Sequence, residues 1–322
     1  MAHGPSMLHE AVTRLREGRL VAFPTETVYG LGADALNEVA VARVFAAKGR
    51  PSHNPLIVHV ADESHARLVT ATWPREAHLL AEAFWPGPLS LVLPKAAGVP
   101  GVVTAGGANV AVRCPDHPLT LELLQAFGKP LVGPSANKSG GVSPTTAQHV
   151  RDAFDHDTVY VLDGGPCTGG IESTVLLLAE HPPRVLRPGL ISAEQIASAL
   201  GQPVMDFVPG MRQEGPLHSP GLLEKHYAPT TRTRLVAEAE LSALLGSVQR
   251  AVVISHAAVE VGRHRLELLP ADARGYASGL YAALRAADGA GAELIVIVKP
   301  PTGGADGAIW AAIADRLRRA TA

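Results

Sequence analysis

The stretch Lys48-Gly-Arg-Pro-Ser-His-Asn-Pro-Leu-Ile-Val-His59 decides how the first half of this chain folds. Its two cations, Lys48 and Arg50, stand one glycine apart before a proline-punctuated turn. The apolar run Leu56–Val58 that follows is typical of a buried strand. Such a loop would hold both cations at the mouth of the strand, where they could bind an anion. A basic pair that caps a helix C-terminus and stays in solvent is the alternative.

The composition restricts the class of protein. The 322 residues are 47% hydrophobic and 18% charged, which is enough to bury substantial cores and favours two domains. A net charge of −2 and only 4% aromatic residues argue against stable nucleic-acid binding. Two distant cysteines, Cys114 and Cys167, fit a reducing compartment. Because the sequence shows neither a signal peptide nor an apolar run of about 20 residues, we expect a cytoplasmic protein without a membrane span.

Strands and helices alternate along the chain, which predicts a mixed α/β fold. A first domain is predicted over residues 7–201, followed by a proline-rich linker over 202–232. A second, smaller α/β domain of open-sheet type is predicted over residues 233–322. Within the first domain, Asn37 is predicted to cap a helix that delivers Lys48, and Pro24–Gly32 is predicted to be a loop.

Polar, glycine-rich loops stand beside short apolar strands throughout the first domain, and such strand-end loops are where α/β proteins usually bind ligands. Their polar side chains are Thr25, Thr27, Lys48, Arg50, His59, Arg113, Ser135, Asn137, Ser143, Ser173 and Arg187. Four cations with several hydroxyls suit a ligand that has a polyanionic part and a carboxylate. A nucleoside triphosphate together with an amino or organic acid fits this description. Taken singly, the same residues also fit turns, caps and surface ion pairs.

Several well-known site types are not supported by the sequence. No G-x-x-x-x-G-K-[ST] motif occurs, and no G-x-G-x-x-G stands between a strand and a helix, so a P-loop and a dinucleotide site are not predicted. The absence of G-x-S-x-G weakens a serine-hydrolase interpretation of Ser135 or Ser173. The histidines show no paired ligand spacing, so no protein-held metal site is predicted.

Four motifs together carry a resemblance. They are Pro24-Thr-Glu-Thr-Val-Tyr-Gly-Leu, Lys48-Gly-Arg-Pro with Asn54-Pro-Leu-Ile-Val-His, Pro134-Ser-Ala-Asn-Lys-Ser-Gly, and Glu172-Ser-Thr-Val. In combination they resemble the YrdC-like family. With Ser219-Pro-Gly, His226-Tyr-Ala-Pro and the second α/β unit, the chain resembles the long form of the threonylcarbamoyl-AMP synthase family over nearly its whole length.

The resemblance implies a fold and a reaction. The implied fold is a twisted mixed sheet around a central positive cavity, with a smaller Rossmann-like C-terminal domain and a linker that folds over the active site. L-Threonine, bicarbonate and ATP, the last with Mg²⁺, would give threonylcarbamoyl-AMP and pyrophosphate. A tRNA threonylcarbamoyl transferase system would then modify the adenosine next to the anticodon. Such chemistry needs positioning, exclusion of water and cations facing pyrophosphate rather than a covalent nucleophile.

The resemblance also implies residue roles. The central polar set on the nucleotide and transferring-group side would be Lys48, Arg50, Ser135 and Asn137. The ATP-binding residues would be Arg50, Asn54, Asn109, Ser135, Ser143, Arg187, His226 and Tyr227. The threonine-binding residues would be Thr27, His59, Arg113 and Ser173, with Arg113 facing the carboxylate.

The linker departs from the family pattern. The family usually has Ser-Pro-Gly-Met-Lys-Tyr-Lys-His-Tyr-Ala-Pro, and this chain has Leu223 and Glu224 where the first lysine and the tyrosine stand. We expect His226 and Tyr227 to keep a lid role, as part of a linker that gates the adenylate.

Two other functions remain open at this stage. A carbamoyl-transfer YrdC-like module would normally bring zinc-finger-like cysteines and an acylphosphatase segment, and the sequence has neither. An RNA-binding protein acting through the cavity is the second alternative, and the low charge and aromatic content count against it.

Overall fold

The larger of two sheets has nine strands. The computed structural model describes residues 5–208 and 226–322 of the chain. The strands of this sheet are β1 (Leu20–Phe23), β2 (Gly30–Asp34), β3 (Ile57–His59), β4 (Leu89–Pro94), β5 (Asn109–Arg113), β6 (Leu131–Val132), β7 (Val159–Val161), β8 (Thr174–Leu177) and β9 (Arg184–Arg187). Their order is β7-β1-β2-β6-β3-β5-β4-β8-β9, and the β1/β7, β3/β5 and β4/β8 pairs are parallel. The sheet is therefore mixed.

Helices cover this sheet. They are α1 (Pro5–Arg16), α2 (Glu38–Lys48), α3 (Glu63–Ala66), α4 (Arg75–Phe84), α5 (Pro118–Phe127), α6 (Ala147–Arg151) and α7 (Ala193–Leu200), with a 3₁₀ turn at Gly101–Thr104. No helix within the described ranges is long and apolar enough to cross a membrane.

The second sheet is smaller and wholly parallel. Its elements are β10 (Thr233–Val236), α8 (Glu238–Gly246), β11 (Ala251–Ser255), β12 (Arg265–Leu268), α9 (Ala273–Asp288), β13 (Leu294–Val298) and α10 (Gly307–Ala320). The strand order is β10-β13-β11-β12. These two sheets confirm the predicted mixed α/β fold with a smaller second α/β domain. The exact domain and linker limits stay a prediction.

The end of α2 places the two cations of the opening stretch. The Asn37 side chain accepts a hydrogen bond from the Ala40 N–H at 3.1 Å, which confirms the predicted N-cap. Gly49 ends the helix in the left-handed conformation, with φ of 61°. Lys48 is therefore the last helical residue and Arg50 follows the turn. Both side chains are buried, at 2% and 8% exposure, so the solvated-cap alternative is wrong.

The prediction of a loop over Pro24–Gly32 is wrong at its end, because β2 already begins at Gly30. Gly30 and Gly32 pair with Phe23 and Val21 of β1. A Cβ at Gly30 would lie 2.8 Å from the Phe23 ring, and one at Gly32 would lie 2.9 Å from it. The two glycines leave room for the Phe23 ring to lie against β2. Strand propensity does not reveal this role, because glycine is generally rare in strands.

The two domains share one apolar cluster. Val28, Val142, Ile171 and Leu190 of the first domain pack in the same cluster as apolar side chains of α9 and α10. All four are at most 8% exposed. The hydrophobic effect therefore holds the second domain against the loops of the first.

Candidate active site

A cavity opens beside the larger sheet, and the space inside it, counted together with the open solvent at its mouth, is about 530 Å³. Nine of the predicted site residues line it: Thr27, Arg50, His59, Arg113, Ser135, Ser173, Arg187, His226 and Tyr227. The structure thus brings together side chains from loops that are far apart in the sequence.

Lys48 does not line this cavity and ties the end of α2 to the loop that follows β6. Its Nζ donates to the main-chain carbonyls of Ser135 at 2.5 Å and Asn137 at 2.6 Å. Burial lowers the pKa of Lys48 well below its usual range, and the charges of Arg50 and Lys138 lower it further. An anion bound in the cavity would oppose these effects and favour the charged ammonium.

Arg50 is fixed by the turn that follows it. Its guanidinium donates to the carbonyls of Asn54 at 3.2 Å and Pro55 at 2.9 Å. Burial lowers the pKa of Arg50 to about 10, so it stays positive at neutral pH. The Asn54 side chain is fully buried, and neither of its amide atoms has a hydrogen-bond partner within residues 5–208 and 226–322. Such an unsatisfied buried amide fits a polar ligand.

Arg113 organises the opposite end of the cavity. It donates to the Thr27 hydroxyl at 2.9 Å and to the Gly87 carbonyl at 3.2 Å, and Thr27 lies 2.9 Å from the Thr25 hydroxyl. Its Nη2 forms a buried ion pair with Glu26 at 2.6 Å that lacks hydrogen-bond geometry. Glu26 was not among the predicted site residues, although it stands inside the quoted Pro24-Thr-Glu-Thr motif.

His59 presents a neutral imidazole to the same end. Burial, with a further contribution from Arg113, lowers the pKa of His59 well below its ordinary value. Its ring meets the edge of Phe23 with 5.2 Å between ring centroids. A Cβ at Gly133 would lie 2.5 Å from Nδ1, so only glycine fits beside this ring. Nδ1 has no hydrogen-bond partner in the described part of the chain.

Ser173 and Arg187 form a connected pair beside β8 and β9. Arg187 donates to the Ser173 carbonyl at 3.1 and 3.0 Å and to its hydroxyl at 3.2 Å. The Ser173 hydroxyl also lies 2.8 Å from that of Ser90. Burial lowers the pKa of Arg187. The pair therefore presents one fixed hydroxyl and one buried positive charge to the cavity.

Glu172 also lines the cavity and was missed as a site residue by the sequence analysis. Its Oε1 accepts from the Ser143 hydroxyl at 2.7 Å, and its Oε2 accepts from Tyr281 at 2.8 Å and from Arg316 Nε at 3.2 Å. Burial alone would raise the pKa of Glu172, but Arg316 and Arg187 outweigh it and the pKa is lowered. The only sequence signal for Glu172 was its place at the head of the fourth motif.

His226 and Tyr227 close the cavity from the second-domain side. Their ring centroids are 4.1 Å apart, and Tyr227 stacks on Tyr281 at 5.6 Å. The His226 N–H donates to the Arg319 carbonyl at 3.2 Å. Burial lowers the pKa of His226 to about 3, so its imidazole is neutral at physiological pH. The divergent segment Leu222–Glu224 lies outside the described residues.

Five predicted residues do not line the cavity: Lys48, Asn54, Asn109, Asn137 and Ser143. Asn137 donates to the carbonyls of Lys138 at 2.7 Å and Gly141 at 2.8 Å, so its side chain shapes its own loop. Asn109 begins β5 and pairs with Pro94. The predicted ligand roles of these residues remain predictions.

The acidic side chains do not form a metal site in residues 5–208 and 226–322, because no group of three or more His, Cys, Asp or Glu could hold an ion there. Glu26 and Glu172 each face an arginine instead.

Comparison with protein families assigns both parts of the chain. Residues 13–189 match the Sua5, YciO and YrdC family model, described as "Telomere recombination". Residues 191–322 match the model described as "Threonylcarbamoyl-AMP synthase, C-terminal domain".

Similar proteins agree with this assignment. The threonylcarbamoyl-AMP synthase of Bacillus subtilis is 41% identical over 97% of this chain and 92% of its own length. That of Pyrococcus abyssi is 47% identical over 69% of this chain, and the alignment spans 65% of that relative, less than two thirds of its length. The crystal structure of P. abyssi Sua5 complexed with L-threonine superposes with a TM-score of 0.88 at 38% identity, covering 98% of this chain and 94% of that one. This chain is therefore a member of the threonylcarbamoyl-AMP synthase family, with both the YrdC-like and the Sua5 C-terminal domains.

Proposed function

We propose that this chain makes threonylcarbamoyl-AMP and pyrophosphate from L-threonine, bicarbonate and ATP. One observation carries the proposal: a single cavity is lined by three buried arginines, Arg50, Arg113 and Arg187, and by the hydroxyls of Thr25, Thr27, Ser135 and Ser173. The cations suit a triphosphate, and Arg113 with the hydroxyls suits an amino acid. The L-threonine complex of the similar P. abyssi protein supports the choice of amino acid.

At the nucleotide end, Lys48 and Arg50 would stabilise charge on the departing pyrophosphate. Because backbone carbonyls already fix both side chains, little reorganisation would accompany the reaction. Ser135, Arg187 and the His226-Tyr227 pair line the remaining wall and would hold the nucleotide. Asn54 and Ser143 would complete its contacts if ATP draws their loops inward.

At the threonine end, the Arg113 guanidinium would bind the carboxylate as Glu26 fixes its orientation. Thr27, His59 and Ser173 line the same region and would bind the polar groups of threonine. The threonine amine must lose its proton before it can attack carbon dioxide derived from bicarbonate. A neutral His59 is suited to accept a hydrogen bond there, since its pKa is far below neutral pH.

Exclusion of water is the third requirement, because carbamates and mixed anhydrides hydrolyse. Thr27 and Ser173 are fully buried, and Tyr227 is 1% exposed. The carbamate oxygen could therefore attack the α-phosphate in a largely dry pocket, with positioning as the main contribution of the protein.

The remaining parts of the proposal concern the cell. ATP would enter as its magnesium complex, and the product would pass to a tRNA threonylcarbamoyl transferase system in the cytoplasm. Neither a membrane nor stable nucleic-acid binding is needed for this step.

Pyrophosphate release tests the proposal, with threonine and bicarbonate each supplied or omitted. We expect pyrophosphate release only when threonine and bicarbonate are both present. Lys48→Ala should lower the rate of release by about 100-fold or more, because one preorganised donor is lost. Lys129→Ala is the matched control, since Lys129 does not line the cavity, its side chain is 55% exposed, and it pairs with Asp34 at 2.9 Å. Release with threonine alone would indicate ordinary amino-acid adenylation, and no release would refute the proposal.

A further inference from the structure

Arg316 of α10 reaches from the second domain into the cavity wall of the first. We propose that Arg316 is a positioning residue that sets the affinity of the cavity for threonine by fixing Glu172 and, through it, Ser173. The inference rests on the function proposed above and adds a role for the second domain in it.

Arg316 holds both ends of the β8–β9 hairpin. Its Nε donates to the Glu172 carboxylate at 3.2 Å, its Nη2 to the Glu172 main-chain carbonyl at 3.1 Å, and its Nη1 to the Pro188 carbonyl at 2.6 Å. Glu172 precedes β8 and Pro188 follows β9. The Arg316 side chain is only 1% exposed, so these are its main interactions rather than occasional surface contacts.

The hairpin ends held by Arg316 carry the predicted threonine contact. Ser173 follows Glu172 directly, and Arg187 precedes Pro188 and donates to Ser173. The peptide unit is planar, so a displaced Glu172 carbonyl moves the Ser173 N–H with it. The position of the Ser173 hydroxyl in the cavity therefore depends on a side chain 144 residues later than Glu172.

The two carboxylate oxygens of Glu172 have different partners. Arg316 and Tyr281 contact Oε2, whereas Ser143, on the predicted ATP side, contacts Oε1. Among the described residues, removing Arg316 would leave the buried Glu172 carboxylate with two neutral hydrogen-bond donors and the charge of Arg187 nearby, and the hairpin end would shift to reach water or another donor. On the predicted ATP side, Ser143 keeps its bond to Oε1, Arg187 keeps its bonds to Ser173, and Tyr227 keeps its stacking on Tyr281 when Arg316 is removed, so ATP binding should change less than threonine binding.

The test measures steady-state pyrophosphate release by the full-length chain with Arg316→Gln. We expect the KM for threonine to rise about tenfold, which corresponds to about 1.4 kcal/mol, with kcat within about threefold. The KM for ATP should change by less than about threefold. Arg318→Gln is the matched control, because Arg318 is on the same helix and bonds the Asp315 carboxylate, but its side chain is 47% exposed. It should leave both constants unchanged.

A double-mutant cycle separates positioning from a general loss of stability. If Arg316 acts by positioning the Ser173 hydroxyl, adding Arg316→Gln to Ser173→Ala should raise the threonine KM by less than about threefold beyond Ser173→Ala alone. A further tenfold rise would overturn the proposed route. If Arg316→Gln fails to fold, Arg316→Lys keeps the charge and most of the volume, and it should raise the threonine KM several-fold because one ammonium cannot span three acceptors.

The outcomes distinguish the two proposals. A wild-type threonine KM in folded Arg316→Gln or Arg316→Lys overturns this inference and leaves the proposed function intact. A chain that releases no pyrophosphate with threonine and bicarbonate refutes the proposed function, and this inference with it. Selective loss of threonine affinity supports both.

Discussion

Gly170 is the point where the loop before β8 touches the backbone of α9. It has φ of +72°, and a Cβ there would collide with the Ala277 carbonyl and lie 2.7 Å from the Ser278 carbonyl. We predict that Gly170→Ala destabilises the docked pair of domains. Gly165 of the same loop is the matched control, since its φ is +84° and a Cβ there would meet nothing within 4 Å.

The expected magnitude follows from comparing the two glycines. Each alanine should cost about 1–2 kcal/mol for the left-handed conformation, offset by about 0.4–1 kcal/mol from the restricted unfolded chain. These contributions cancel in the comparison. Only in Gly170→Ala must the neighbouring backbone of α9 also shift to make room for the new methyl group. We expect this shift to cost a further ~1–3 kcal/mol.

Urea unfolding followed by tryptophan fluorescence measures the difference. Trp310 reports on the second domain, and Trp73 and Trp85 report on the first. Gly170→Ala should lower the unfolding free energy by about 2 kcal/mol more than Gly165→Ala. Equal effects of the two substitutions, within about 0.5 kcal/mol, would refute the reasoning that close interdomain packing requires glycine at residue 170.

Two further predictions concern pH and truncation. Burial lowers the pKa of His226 to about 3 and that of His59 well below 6.5, so the unfolded chain binds more protons than the native chain below pH 6.5. Stability should therefore fall as the pH decreases from 6.5 toward 3, by roughly 2 kcal/mol at pH 5 for His226, and His59 should contribute in the same direction. Urea unfolding at pH 7 and pH 5 measures this loss. His226→Asn should remove the contribution of His226 to it, and an unchanged pH dependence in this variant would contradict the prediction. A chain cut after Gly201 should lose pyrophosphate release and yield little soluble protein, because the cut exposes the apolar cluster shared with α9 and α10. Undiminished synthesis by this shortened chain would refute both the importance of the shared cluster and the proposed linker gate.

Local signals were sufficient to predict much of the fold. Asn37 and Gly49 mark the start and end of α2 through capping chemistry that involves only neighbouring residues. The apolar run Leu56–Val58 likewise located β3, which begins one residue later, at Ile57. The prediction failed at β2, where the decisive contact is with the Phe23 ring of another strand.

The candidate site shows the same limit. Motif spacing pointed to Arg113 and Ser173, because each stands beside an apolar strand. It did not reveal that Glu26 faces Arg113 or that Glu172 faces Arg316, because these pairs depend on how separate segments meet in space. A glutamate in a motif looks the same in sequence whether it contacts substrate, solvent or a distant arginine.

The contacts of Arg316 with Glu172 and Pro188 also bear on when the cavity is completed as the chain is made on the ribosome. Chains emerge from the ribosome N-terminus first, so the nine-stranded sheet is complete well before Arg316 exists. A nascent chain could thus display the cavity cations while Glu172 still lacks its arginine partner. Full affinity for threonine would then be acquired late, when α10 docks against the first domain.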